Sequence, residues 1–271
     1  MKKTTKRIVI LLVLAIMMAF ATVSAFASSY DGLTFTKSGD ADKWHMRKPL
    51  SDAPYSFEAW IKLPETTTER GYLFSNYDGG SKTSTYYGNE TYGNRTISLE
   101  ILADGSPQMI FGPDNGSGGL GSRATIIFDQ VDVRTGEWLH LAVVKEPTRV
   151  VCYINGEEKQ AIANSQKYYK DDILQPYALG ADNRSSNSYY FRGAVKGLTV
   201  YRDVRSADEI KSSYIYGVKT SDVNMLLHYD ITEAPDGLII KDLTGNGYDL
   251  KKKAYDGYVP SASDIGAKGT G

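Results

Sequence analysis

The chain has 271 residues, a net charge of −1 and a single cysteine. Such a length suits one large domain, or a smaller domain with a tail. The near-neutral charge gives no sign of the basic face that a nucleic-acid binder needs, and the lone Cys152 excludes both an internal disulfide and a CxxC zinc site.

The first segment differs from everything after it. Lys2, Lys3, Lys6 and Arg7 form a positive start, Ile8 to Phe20 is an unbroken apolar run of 13 residues, and Ala25-Phe26-Ala27 fits the small-x-small cleavage pattern. The run is shorter than the ~18–20 residues that cross a bilayer. Residues 1–27 therefore read as a signal peptide, with cleavage after Ala27 and a secreted, extracellular product of bacterial style. The mature chain, Ser28 to Gly271, is 244 residues long, and without the leader's four positive charges its net charge is near −5. No later apolar stretch is long enough to span a membrane.

The mature sequence has almost no helical periodicity. Short runs rich in Val, Ile, Leu, Phe and Tyr alternate with Gly, Asn, Asp and Ser clusters, which predicts an all-β antiparallel sandwich. In Ser56 to Leu63, Phe57, Ala59, Ile61 and Leu63 share one face, and Ser56, Glu58, Trp60 and Lys62 the other. Thr96 to Leu102 and Pro107 to Phe111 flank the turn Ala103-Asp104-Gly105. Arg123 to Phe128 is a further strand, and Leu139 to Val144 pairs with Val150 to Ile154. Asn155-Gly156 then predicts a type I′ turn, because both residues tolerate positive φ. Cys152 lies in an alternating strand and reads as a buried, inert thiol. Gly197 to Tyr201 and Met225 to Ile231 are late strands. One helix is signed by the capping box Ser206-Ala207-Asp208-Glu209 and runs to about Tyr214. Residues 28–254 make up the predicted domain. Residues 255–271, rich in Gly, Ser and Ala, read as a flexible tail or a linker into a longer parent protein.

Four segments in order resemble the laminin-G-like branch of the concanavalin A-like jelly rolls. They are Tyr55 to Lys62, Gly136 to Val143, Cys152 to Gly156, and Phe191 to Tyr201 running into the capping box. Arg70 to Ser75, Leu179 to Asn183 and Asn224 to Tyr229 resemble pentraxin segments. The resemblance implies a two-sheet jelly roll from about Tyr30 to Ile231, with Asp242 to Asp249 as an extension. It also implies a calcium site on Asn94, Asp182 and the Asn183 carbonyl. Gly93 and Arg184 stand where acidic ligands are expected, so a single ion is implied rather than a pair. Trp60 and Trp138 match structural positions of the family; Trp44 has no such match.

Members of this family bind glycans, bind proteins or serve as spacers, and the fold alone does not choose. Glycosidase chemistry needs two carboxylates flanking one bond, and the ExDxxE strand of the related glucanases is absent. Glu58 and Glu100 are single strand acids, expected to face solvent or to bond a neighbouring strand, and His140 reads as structural. The polysaccharide-lyase pattern Gln-x-His is also absent, so a non-enzyme is expected. The mature chain has all 20 tyrosines against 6 phenylalanines. Tyr77, Tyr86, Tyr87 and Tyr92 fall in one polar loop, and Tyr189 and Tyr190 in another. Tyrosine suits sugars, since its face packs on pyranose C–H groups and its hydroxyl bonds to theirs. The expected function is a lectin-like, carbohydrate-binding module for a polysaccharide or cell-surface glycan, with a catalytic domain of a longer parent protein as a further candidate partner. The alternatives are a protein-interaction or adhesion domain and, below that, a hydrolase or lyase.

Overall fold

The computed structural model describes residues 31–36, 44–46, 48–77, 95–113, 123–168, 176–182, 189–233 and 238–252. The predicted signal peptide and tail lie outside them. All elements belong to the compact unit Gly32–Gly271. In chain order they are β1 (Leu33–Phe35), β2 (Trp44–His45), β3 (Ser56–Lys62), β4 (Gly71–Ser75), β5 (Arg95–Ile101), β6 (Pro107–Pro113), β7 (Ala124–Ile127), β8 (Leu139–Lys145), β9 (Arg149–Ile154), β10 (Glu157–Ala163), β11 (Ala178–Leu179), β12 (Gly193–Tyr201), α1 (Ala207–Tyr216), β13 (Met225–Asp230), β14 (Ile239–Ile240) and β15 (Leu250–Lys252).

Two antiparallel sheets result, as the jelly-roll expectation requires. The first runs β1-β12-β3-β8-β9-β10, with β13 also on β12, and the second runs β14-β15-β2-β11-β4-β5-β6-β7. β3 takes one side of β12. β1 and β13 share the other side end to end, at Gly193 to Val195 and Gly197 to Tyr201 respectively.

Alternation sorts the faces. Phe57 of β3 meets Phe74 of β4 edge to face at 6.4 Å, which ties the two sheets across the core. Leu99 pairs with Phe74, and Phe111 with Ile97, so the apolar set of β5 and β6 points inward. Phe57, Ile61, Leu141, Val143, Val150 and Cys152 are fully buried on the facing sheet.

The outer face of the first sheet is covered by α1. Ile210 joins Ala142, Val144, Val151 and Tyr153 in one buried cluster. The helix starts where the sequence says: the Glu209 amide donates to Ser206 Oγ, and the Ser206 amide donates to Glu209 Oε2 at 2.8 Å. It ends at Tyr216, two residues later than expected. Trp60 lies beneath it, 5.8 Å from the Tyr214 ring and 5.4 Å from His140, so its packing is against the helix. Glu58 does not face solvent. It is buried beside His140, whose Nε2 is 3.2 Å from a Glu58 oxygen, which makes His140 structural.

The Asn155-Gly156 turn has φ values of 53° and 78°, as a type I′ turn needs, and leads into β10. The sandwich does not stop near Ile231. Asp242 Oδ1 accepts from the amides of His228 and Thr244, and the amide of Tyr248 donates to Asp242 Oδ2. This turn sends β15 back to pair with β2, so the segment expected as an extension completes the second sheet. The place of Trp44 follows from that pairing: it lies on β2 and is buried, with the Lys252 ammonium 5.8 Å from its ring.

Candidate functional site

The outer face of the second sheet carries the other half of the alternation. Thr96, Ser98 and Glu100 of β5 stand there, with Gln108 of β6 opposite Glu100 and Ser75 of β4 opposite Ser98. Neighbouring hydroxyls bond one another: Ser75 Oγ to Ser98 Oγ at 2.6 Å and Thr96 Oγ1 to Ser98 Oγ at 2.8 Å. Buried polar groups require such partners.

The row ends in a charged and aromatic cluster. Arg70, just before β4, donates from Nε to Glu100 Oε2 at 2.5 Å and from Nη2 to Glu100 Oε1 at 3.0 Å. Gln108 Nε2 donates to the same Oε1. Glu100 has no exposed side-chain surface, while Arg70 keeps 35 % of its own. Burial pushes the Glu100 carboxyl up, and the bonds from Arg70 and Gln108 only partly offset this. For Arg70 burial acts downward, but Glu100's hydrogen bonds and charge hold the guanidinium above its ordinary value.

Aromatic rings surround that guanidinium. Tyr189 lies 4.9 Å from it and Tyr72 5.6 Å. Tyr77 packs 6.3 Å from Tyr72, and Tyr189 6.4 Å from it. The Tyr72 amide donates to the Tyr189 carbonyl, and Tyr72 bridges to Tyr190. Gly71 makes this approach possible, because a Cβ there would overlap the Tyr190 carbonyl. Tyr77 from one candidate loop and Tyr189 and Tyr190 from the other thus meet around Tyr72.

Tyr86, Tyr87 and Tyr92 lie outside the described residues, as do Asn94 and Asn183. Of the calcium set, only Asp182 is described, and it is fully buried. Calcium takes six to eight oxygens. Among the described residues no group of three acidic, His or Cys side chains could hold a metal.

Sequence reasoning missed Arg70, Tyr72 and Gln108 as members of this cluster, and took Glu100 singly. The polar alternation Thr96-x-Ser98-x-Glu100 was the available signal.

The fold agrees with a family model described as the concanavalin A-like lectin/glucanases superfamily, of the laminin G type, which matches residues 35–211. The chain belongs to that family. Among solved structures, it is similar to tailspike protein 2 from Escherichia coli O157:H7 bacteriophage CAB120. That likeness has 13% identity and a TM-score of 0.51, and covers 74% of this chain and 26% of that one. It is also similar to a pentraxin from Limulus polyphemus, at 13% identity and a TM-score of 0.45, over 70% of this chain and 82% of that one. A Bacteroides ovatus protein with a provisional carbohydrate-binding description has 14% identity and a TM-score of 0.44. There the match covers 81% of this chain and spans 58% of that one. At these identities the tailspike likeness speaks for the fold alone. No curated protein sequence matches the chain.

Proposed function

We propose that this chain is a secreted, non-catalytic glycan-binding module whose site is the tyrosine-rimmed face around Arg70. The observation that carries the reading is the meeting of Tyr77, Tyr189 and Tyr72 beside a partly exposed guanidinium. An aromatic ring offers a flat apolar surface to a pyranose, and adjacent donors hold its hydroxyls. Membership of a family of lectins and glucanases supports it at the level of class.

The same geometry argues against catalysis at Glu100. A raised carboxyl pKa suits a general acid, but both Glu100 oxygens are bonded to the protein and the side chain has no exposed surface. A scissile bond could not reach it.

The test is a glycan array and polysaccharide pull-down with the chain starting at Ser28, as wild type and as Tyr189→Ala. Retention of a glycan by the wild type, weakened about tenfold or more in the variant at unchanged fold, is expected. Absence of any glycan binding would favour the protein-interaction reading. Calcium belongs to the proposal through the family resemblance. A rise in melting temperature at millimolar calcium over EDTA would support a structural ion, and no rise would remove it.

A further inference from the structure

We propose that Arg70 presents an anion-binding edge and that the glycans selected at this face carry a carboxylate. This rests on the glycan-binding reading above and narrows its ligand.

A guanidinium carries five N–H donors in a rigid plane. Nε and one hydrogen of Nη2 are committed to Glu100, and Nη2 also lies 3.4 Å from the Tyr72 hydroxyl. Nη1 makes no hydrogen bond among the described residues, and the side chain is one-third exposed. The plane is fixed from below by the bidentate bond and from the sides by the rings of Tyr72 and Tyr189. One carboxylate oxygen can accept from Nη1 and the second can take the place of the long Tyr72 contact at Nη2, and binding costs little side-chain freedom because the guanidinium is already held.

Charge points the same way. Glu100 is buried beyond any ligand's reach and feels both Arg70 and the exposed Arg123. Glu69, the acid next to Arg70, is paired with Arg192 at 2.7 Å. Both acids are thus engaged by protein guanidiniums. Glu100 and Gln108 are positioning residues: they touch Arg70 or its partner, not the sugar. Tyr189, 45% exposed, supplies the apolar surface for the ring that bears the carboxylate.

The experiment measures affinity for polygalacturonate, alginate, hyaluronan and sialyllactose, each beside its methyl-esterified or carboxyl-reduced form. For at least one pair the free acid should bind about tenfold more tightly than the neutral form. That preference should weaken between 0.05 and 0.5 M salt. Arg70→Gln, measured well below its own lowered melting temperature because it strips buried Glu100 of its partner, should abolish the preference, Arg70→Lys should restore part of it, and Tyr189→Ala should weaken both members of a pair. Glu100→Gln separates positioning from charge. It adds positive charge yet frees the guanidinium, so the preference should fall; a rise would show that Glu100 acts only by its charge and would overturn its positioning role. Equal binding of acid and neutral forms, binding confined to neutral glycans, or a preference that survives Arg70→Gln overturns the carboxylate proposal and leaves the glycan reading standing. Binding of no glycan at all overturns both.

Discussion

His228 sits in β13 with Nδ1 2.8 Å from Thr199 Oγ1, and burial holds its pKa below the ordinary 6.5, outweighing the fields of Asp230, Asp242 and Glu58. The folded protein therefore keeps this ring neutral where the unfolded chain takes up a proton. The stabilisation is complete above about pH 6.5 and is lost as pH falls from there toward the folded value. Glu100, raised by burial, acts with the opposite sign in the carboxylate range, so the comparison must be made against a variant. Thermal melts from pH 7.5 to 5 should show a fall in wild type that is smaller in His228→Gln; parallel curves would contradict the assignment. Cys152 gives a second residue-level expectation. Burial pushes its thiol up to about 12, so at pH 8 roughly one molecule in ten thousand carries the thiolate. Iodoacetamide should leave the folded protein unlabelled and modify it fully in denaturant.

At the level of elements, α1 is the lid on the outer face of the first sheet, and its first turn depends on the capping box. Ser206→Ala should cost about 1 kcal/mol, read as a lower denaturant midpoint with an unchanged slope. Gly71→Ala probes a closer contact. Its Cβ would meet backbone at Tyr190, which cannot move aside as a long side chain could. The variant should lose glycan binding and stability together, whereas Tyr189→Ala should lose binding alone. What could be read beforehand follows the same physics. The capping box, the Asn155-Gly156 turn and the alternation in β3 are local signals, and each appears where the sequence places it. β10 gave no signal because it is an edge strand whose residues are mostly exposed, so Glu157 to Ala163 shows no apolar face. β2 and β11, two residues each, are too short to show alternation at all. The cluster around Arg70 was half legible. The tyrosines of two loops could be named, but only the pairing of β4 with β5 and the Tyr72–Tyr190 bridge bring them together.

For the whole molecule, the last described segment matters as much as the first. Leu250 is fully buried, the Tyr229 hydroxyl donates to the Tyr248 carbonyl at 2.5 Å, and β15 lies between β14 and β2. Leu250→Ala should therefore cost about 2–5 kcal/mol, measured by chemical denaturation, and a change below 0.5 kcal/mol, about the scatter of neutral surface substitutions, would show the segment to be dispensable. The pairing of β2 with β15, and of β1 with β12, also sets an order in time. Trp44 leaves the ribosome early, meets its first strand partner with Leu179 and its second only when Lys252 arrives; Leu33 waits for Val195. The first sheet needs β12 to seat β1, the second needs β15 beside β2, and such long-range pairing is slow. The second sheet thus stays open until residues up to Lys252 have emerged, and a product truncated before β15 lacks the strand that covers that side of β2.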